Sequence, residues 1–576
     1  MKRIFVIVLS LLTWAVIKPV MGQKSTDGKA SGKPNIIWIT CEDISPYIGA
    51  YGDKLVKTPN IDQLAKEGIR YTRAYTTAGV CAPSRSAIIT GMYQTSIGSQ
   101  HMRTNVANSQ TVPIYSAVVP EYVKCFPEYL RKAGYYATNN EKQDYQFEAP
   151  VTVWDESSPA ATFRNRPDGK PFFAVFNFMI THESQLFGRK DSLLVDVNEV
   201  NVPPIYQDTK IVRQGIARML TNIERMDSQV GELIRMLKED GLYDNTIIFF
   251  YSDHGGSLPW TKREVLERGT HIPLIVRMPG AANAGTVNND LISAVDFAPT
   301  VLSLAGIPIP KYMQGQAFLG KQKAAKARQY VFAGRDRMDS HYDRVRMVRD
   351  KRYRYLYNYM PEKPYYQPLR YRMSIPMMQE IITLRDQGKL DSIPMNWFKT
   401  KPVEELYDVE NDPYELNNLA GDPKFTKKLT ELRNAFQTWT KQVGDMAAIP
   451  EREMISQMWN GKDEPPVTAT PEVATTAGGV KLACPTKGAS IGYRIVKAGT
   501  AQAPEMHTVQ SWDFIIMRGG KTGGKVPAEP VWQVYDGEVI PLVKGDTLLI
   551  NAMRIGYKAA TLEYKDGQVL VSKSTP

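Results

Sequence analysis

A chain of 576 residues, 43% hydrophobic and 23% charged, has the composition of a soluble globular protein. It is too long for one comfortable hydrophobic core, so two or three domains are expected. A formal net charge of +11 favours an anionic partner, and four cysteines, Cys41, Cys81, Cys125 and Cys484, exclude a disulfide-framework protein at this size.

Lys2 and Arg3 precede an apolar run at 4–17, with small residues near Gly22. That is the layout of a secretory signal peptide over 1–22, cleaved before Gln23. The run is short for a membrane span, and no later segment is long and apolar enough to be one. The expectation is therefore export, to a periplasm or beyond the cell, with no stable membrane insertion. For an exported basic protein an acidic polysaccharide is a better partner than nucleic acid, which is not expected to bind.

Residues 35–40 form a β-branched, aromatic run typical of a buried strand. A helix capped by Thr58 or Asn60 runs through Leu64, and a second begins around Ser84. A helix over 126–133 leads to a strand near Tyr135; 172–179 is another apolar strand and 211–242 a long amphipathic helix. Strands at 246–251 and 272–276 and a helix over 292–304 follow. This alternation predicts an α/β sandwich around a mostly parallel sheet over 34–325. Glu42-Asp43 and Asp253-His254 lie just beyond strand ends, where open sheets bind ligands. Residues 326–450 read as a smaller α+β subdomain. Its antiparallel strands fall in the Arg- and Tyr-rich stretch 344–359, and its helices over 377–385 and 423–443, the latter capped by Asp422 with Pro423 at its first position. Residues 451–479, rich in Pro, Thr, Ala and Gly from 461 on, read as a linker. Short strands at 491–495, 514–517, 532–535 and 547–550 predict a small β-sandwich over 480–576.

The strongest chemical signal is Cys81-Ala82-Pro83-Ser84-Arg85, continuing to Thr90-Gly91. It resembles the type I sulfatase signature, Cys-x-Pro-Ser-Arg followed by Thr-Gly, and matches every fixed position. The resemblance extends over about 34–446, including the run Leu406-Tyr407-Asp408-Val409. It implies an alkaline-phosphatase-like α/β fold and hydrolysis of sulfate groups on a carbohydrate. It also implies a maturation enzyme that oxidises Cys81 to formylglycine. The chemistry suits that residue: a hydrated aldehyde offers one hydroxyl to attack sulfur and a second whose deprotonation expels sulfate, which serine lacks. Arg85, one helical turn after Cys81, can hold the diol and offset charge, and a helix N-terminus there favours anionic oxygens.

The same resemblance makes Glu42, Asp43, Asp253 and His254, with the Cys81 oxygen, the ligands of one divalent cation, Ca²⁺ first and Mg²⁺ second. Two positions depart from the family pattern. Glu42 replaces the usual aspartate, and His254, a softer ligand, stands where asparagine is common. Of six histidines, His182 ends a strand where sulfatases place a sulfate-contacting histidine, and is the first candidate to protonate the leaving alcohol. His101 and Arg103 are candidates to line the substrate pocket. Lys142 holds the lysine of the family's Gly-Lys-x-His motif, but Asp144 stands in place of the histidine. Lys262, nine positions after Asp253, resembles a basic residue of heparan N-sulfatase that contacts the sulfo group, with Arg263 beside it. Arg335 and the basic stretch 344–359 are candidates for sugar carboxylates or further sulfates. The Glu-Asp pair, the Thr-His-Glu-Ser run and the Lys262 offset point to the heparan N-sulfatase-like branch, which leaves N- and O-sulfate both open. A formylglycine phosphodiester or phosphonate hydrolase and a silent glycan-binding protein are the competing readings.

Overall fold

The computed structural model describes residues 32–104, 112–499, 505–509 and 524–574. The expected signal peptide and the strand expected at 514–517 lie outside the described residues. The central sheet is built from β1 (Asn35–Cys41), β2 (Ile69–Tyr75), β3 (Tyr136–Asn140), β4 (Glu156–Ser157), β5 (Phe172–Phe178), β6 (Thr246–Ser252), β7 (His271–Arg277) and β8 (Thr286–Ser293). Their order is β4-β3-β5-β1-β6-β7-β2-β8. Only β7 runs antiparallel to its neighbours, so the sheet is the mixed, mostly parallel one expected.

Helices cover both faces, which is why β1 and β6 are buried at every step and mostly apolar rather than alternating. Successive side chains of a strand point to opposite faces. Ile37 and Ile39 of β1 accordingly join the core under the long helix, with Ile223 and Val230. Ile36 and Trp38 join the other core, with Ile88, Val301 and Leu302. The helices concerned are α1 (Pro59–Glu67), α2 (Cys81–Thr90), α3 (Pro127–Lys132), α4 (Lys210–Glu239) and α5 (Phe297–Leu304). The Thr209 side chain caps α4 by accepting the Val212 N–H.

Register places the chemistry. Cys41, the last residue of β1, pairs with Phe178 of β5 on one side and Ser252 of β6 on the other, and Asn140 of β3 pairs with Phe176. Four strands thus end at one edge, and the residues that follow them emerge together.

A second, antiparallel sheet has the order β12-β11-β10-β9, from β9 (Val331–Arg335), β10 (Val345–Arg349), β11 (Tyr353–Asn358) and β12 (Glu404–Asp408). Helix α6 (Pro376–Asp386) packs toward α4, and α7 (Thr426–Val443) covers the second sheet through Leu432, Phe436 and Trp439. Asp422 caps this region as expected, accepting the Lys424 N–H, although Pro423–Phe425 is a 3-10 turn leading into α7.

The stretch read as linker is in part regular structure. Helix α8 (Glu451–Met458) buries Met454 and Ile455 beside Tyr115 and Trp459, because its own residues are good helix formers despite the Pro-rich run that follows. Hairpin β13 (Glu472–Thr476) and β14 (Gly479–Ala483) then opens the C-terminal module. That module continues with β15 (Ser490–Val496), the separate ladder β16 (Met506–Thr508) and β17 (Lys525–Pro527), then β18 (Gln533–Val534), β19 (Thr547–Met553), β20 (Ala560–Lys565) and β21 (Gln568–Ser574). A five-stranded sheet of order β18-β15-β19-β20-β21 packs against Val480 and Leu482 of the hairpin through Leu548, Ile550 and Leu562. The module is pinned to the region of α3: the Ser490 hydroxyl donates to Glu128 at 2.5 Å and Lys124 to the Gly488 carbonyl at 2.7 Å.

Candidate active site

Cys81 is the first residue of α2, a helix in which every residue is buried. Pro83 is tolerated in the first turn, where amides have no intrahelical partner, and Gly91, at φ 68°, ends the helix in the left-handed conformation that glycine favours. The Ser84 hydroxyl donates to the Asp253 carbonyl at 2.6 Å and ties the helix start to the end of β6. Gly255 follows because a Cβ there would lie 2.3 Å from the Arg268 carbonyl oxygen.

Around Cys81 the strand ends deliver the expected groups. Its Sγ lies 3.2 Å from His254 Nε2 and 3.8 Å from Glu42 Oε2. Arg85 donates from Nε to Asp253 at 3.1 Å, from Nη1 to Asn177 at 2.8 Å, and from Nη2 to Glu42. Lys142 reaches the other Glu42 oxygen at 2.5 Å and Asp144 at 3.3 Å. Lys262 pairs with Asp43 at 2.5 Å, with Glu183 3.8 Å away. Glu42, Asp43, Asp253 and His254 are fully buried. Such carboxylates persist inside a protein only when paired or bound to a cation. Against the burial penalty, Lys262 and then His254 hold the Asp43 carboxyl well below the usual range.

The donor set fits a metal ion. His254 Nδ1 faces the Gly255 carbonyl at 2.9 Å, an acceptor only, so Nδ1 carries a proton and Nε2 presents a lone pair. Asp43 Oδ1 lies 3.0 Å from that Nε2, and with the ring neutral the two lone pairs face each other with no proton between them. Potential donor atoms of Asp43, Asp253, His254 and Cys81 lie within 4.8 Å of one another, and those of Glu42, Asp43, Cys81 and His182 do likewise. Such convergence attracts a cation or, failing one, a second proton. The buried imidazole of His254 is indeed raised well above its ordinary basicity, Asp253 first among the groups that overcome desolvation.

His182 stands at the end of the turn after β5. Its Nδ1 accepts the Ser184 N–H at 3.2 Å, so Nε2 bears the proton of the neutral ring. Burial, and then the Lys262 ammonium, push its pKa down to about 3. The neutral ring therefore offers a hydrogen-bond donor at Nε2, and an anion bound beside it would raise its basicity.

Of the four expected substrate contacts, three are turned into the fold. Arg263 is locked in a two-pronged pair with Glu183, 2.7 Å for each bond, and Glu183 in turn donates its N–H to Asp43 at 2.7 Å. Arg263 thus orders Glu183, and through its amide Asp43, instead of reaching for a sugar. Arg335, on β9, is buried between Glu264 and Asp343, and all of its charge is spent inside the fold. His101 accepts the Arg337 N–H at 3.3 Å and lines a cavity of about 440 Å³ with Asp336, Tyr342 and Glu451, away from the Cys81 cluster. Arg103 alone stays at the rim. Its side chain is 35% exposed and pairs with Asp144 at 3.0 Å. Against burial, Lys142 and then Arg103 push Asp144 down to about 2.

Sequence reading missed Asn177 and Glu183, which set the angles of Arg85 and Asp43. A structural signal marks this neighbourhood: Asp43, Arg103, Asp144, Trp260, Arg263 and Asp339 all have φ between 49° and 76°. That conformation is disfavoured by on the order of 1–3 kcal/mol for such residues and concentrates at working sites.

Residues 34–307 match the Sulfatase family and 255–369 match the family N-sulphoglucosamine sulphohydrolase, C-terminal. An "Ulvan-active sulfatase" of Formosa agariphila is 44% identical over 94% of this chain and 92% of its own length. The chain belongs to the sulfatase family. Human N-sulphoglucosamine sulphohydrolase is 25% identical over 71% of this sulfatase and 90% of its own length. A solved structure, a putative sulfatase from Bacteroides thetaiotaomicron, shares the fold with a TM-score of 0.53 at 21% identity, covering 72% and 93% of the two chains. This sulfatase is a hydrolase of sulfate esters, and among its described residues no helix is long and apolar enough to cross a membrane.

Proposed function

We propose that this sulfatase is exported, carries Cys81 as formylglycine through the action of a maturation enzyme, and removes sulfate from fragments of a sulfated polysaccharide with one bound Ca²⁺. One observation supports this above the others: the motif cysteine starts α2 with its Sγ 3.2 Å from His254 and 3.8 Å from Glu42. The formylglycine hydrate supplies an attacking hydroxyl and a second one for release of sulfate. Glu42, Asp43, Asp253 and His254 would hold the ion, which when bound makes the attacking hydroxyl acidic; three carboxylates with the hydrate and sulfate oxygens suit the higher and more flexible coordination of Ca²⁺ better than Mg²⁺.

The side chains divide the remaining work. Arg85 and Lys142 place positive charge beside the reacting oxygen, held there by Asp253, Asn177 and Glu42. Lys262 fixes Asp43 and adds charge where sulfate enters. His182 Nε2–H faces the leaving oxygen. His182→Ala should lower kcat by about 10²–10⁴-fold; an unchanged kcat with a raised KM would make His182 a binding group only. Arg103, at the rim, takes an anionic substituent of the sugar. Arg103→Ala should raise KM by about 10- to 100-fold, the loss of one charged hydrogen bond, with kcat within about threefold of wild type. A KM unchanged on an anionic saccharide would remove Arg103 from the substrate site.

The similarity to an "Ulvan-active sulfatase" makes ulvan fragments the first substrate to try. N-sulfated glucosamine is second, from the similarity to N-sulphoglucosamine sulphohydrolase. The experiment is sulfate release, followed by ion chromatography, from ulvan and heparin-derived oligosaccharides, with Cys81→Ala as the blank. No release above the blank from any sulfated glycan would overturn the proposal, as would a marked preference for aryl phosphodiester over aryl sulfate.

A further inference from the structure

One exposed aromatic ring stands beside the buried, charged floor of this site, and it comes from a segment that carries no sulfatase motif. Tyr371 is 42% exposed in a neighbourhood where Cys81, Asp43 and His254 are fully buried. The segment that presents it is clamped on both sides. Two residues before it, Leu369 is buried in a cluster with Val80 and Ala82, the residues that flank Cys81, and with Met102 and Met338. The next residue, Arg372, is buried with its guanidinium 5.0 Å over the Trp397 ring and 3.9 Å from Glu264. Tyr371 is therefore held between two buried anchors, the first of them packed on the residues that flank Cys81.

Its ring meets that of Phe187 edge-on, with centroids 5.8 Å apart and planes at 76°. Phe187 sits on the same short stretch as His182 and Glu183, so the chain that delivers the histidine also buttresses the tyrosine. The charged groups that act on the Tyr371 hydroxyl are Glu183, Lys262, Asp43 and Arg263, all members or direct partners of the site. Solvent-facing aromatic surface costs free energy unless something covers it, and rigid aromatic side chains are the commonest anchors at binding surfaces because little entropy is lost in fixing them. A pyranose has an apolar C–H face suited to such a ring, while its hydroxyls and sulfate point elsewhere.

We propose that Tyr371 is a specificity residue for the saccharide, its exposed ring forming the apolar platform on which the sugar bearing the scissile sulfate packs. The proposal rests on the carbohydrate sulfatase reading above. Covering one aromatic face removes enough apolar surface to account for about a 10- to 50-fold change in binding.

The test measures sulfate release from a sulfated saccharide that the wild-type enzyme hydrolyses, together with inhibition by inorganic sulfate, which occupies the floor but has no ring. Tyr371→Ala should raise KM for the saccharide about 10- to 50-fold and leave the inhibition constant of inorganic sulfate within about twofold. Tyr371→Phe, which keeps the platform, should restore KM to near wild type, and thermal melting of both variants reports whether the fold is intact. A saccharide KM unchanged in Tyr371→Ala overturns the proposal, as does an equal loss of affinity for saccharide and inorganic sulfate. So does a Tyr371→Phe variant as impaired as Tyr371→Ala, which would assign the effect to the hydroxyl. If the wild-type enzyme releases no more sulfate than Cys81→Ala, the sulfatase reading itself fails, an outcome distinct from all of these.

Discussion

Replacing Cys81 with alanine should abolish sulfate release, lowering kcat by about 10⁴-fold or more, the scale seen when a covalent nucleophile is removed. The substitution removes a single sulfur atom at the start of a helix that is held by other bonds, the Ser84 hydroxyl on the Asp253 carbonyl among them. Folding should therefore survive, and a melting temperature close to wild type would show that chemistry alone has been lost. Mass spectrometry of the peptide containing Cys81 gives the independent reading. Conversion of the thiol to an aldehyde removes about 18 Da, a covalent change that sequence mass alone does not contain. Cys81→Ser separates attack from release: a serine alcohol that attacks sulfur has no second hydroxyl to expel sulfate, so a sulfated serine should accumulate and turnover should stop. Protein purified from a host competent for the conversion, active yet carrying an unmodified thiol, would refute the assignment of the nucleophile.

The parts of the site that were legible before the structure share a physical character. Cys81, Arg85, Asp43, Asp253 and His254 lie in short segments whose spacing is set by the local geometry of a helix start or a strand end, and such spacing is written in adjacent residues. The central strands β1, β5 and β6 were legible for the same reason, since they are buried on both faces and read as mostly apolar runs. Strands β2 and β8 were not: β2 mixes Arg and Thr with half-buried positions, and the first half of β8 is largely exposed at the sheet edge and polar in sequence. What sequence does not display is which charge meets which. Arg335 and Arg103 look alike as letters. One is neutralised by Glu264 and Asp343 inside the fold, whereas the other meets Asp144 at the rim, and both pairings depend on folding distant segments together. Glu183 shows the converse. It sits beside a recognised histidine, yet its work of holding Arg263 and donating its amide to Asp43 follows from tertiary contacts that no periodicity encodes. Tyr371 escaped for the same reason, its position being set by Leu369 and Arg372 rather than by a motif.

Asp253 is the second position from which a large effect is expected, and its consequences run through charge. Its Oδ1 accepts the Asp43 N–H at 3.3 Å and the His254 N–H at 3.0 Å, while Oδ2 accepts from Arg85. It therefore orders both Asp43 and His254 and the arginine that lies beside Cys81. Asp253→Ala should lower activity by about 10³-fold or more, since both the cation site and Arg85 lose a partner, and breaking a buried charge pair from one side is strongly destabilising. Asp253→Asn separates charge from backbone support, because its amide oxygen still serves the Asp43 and His254 amides while the charge offered to a cation and to Arg85 is gone. A readout independent of turnover is the melting temperature on titration with Ca²⁺. A ligand that binds only the folded state stabilises it by about 2.7 kcal/mol at a hundred times its Kd, so chelated wild-type protein should gain several degrees on adding Ca²⁺, with activity returning in parallel. Neither Asp253 variant should show that gain. Mg²⁺ should restore less than Ca²⁺, because it demands near-octahedral geometry and gives up its water reluctantly. An Asp253→Ala enzyme with full activity and an undiminished thermal response to Ca²⁺ would place the ion elsewhere, and the buried convergence of Asp43 Oδ1 with His254 Nε2 would then require a different counter-charge.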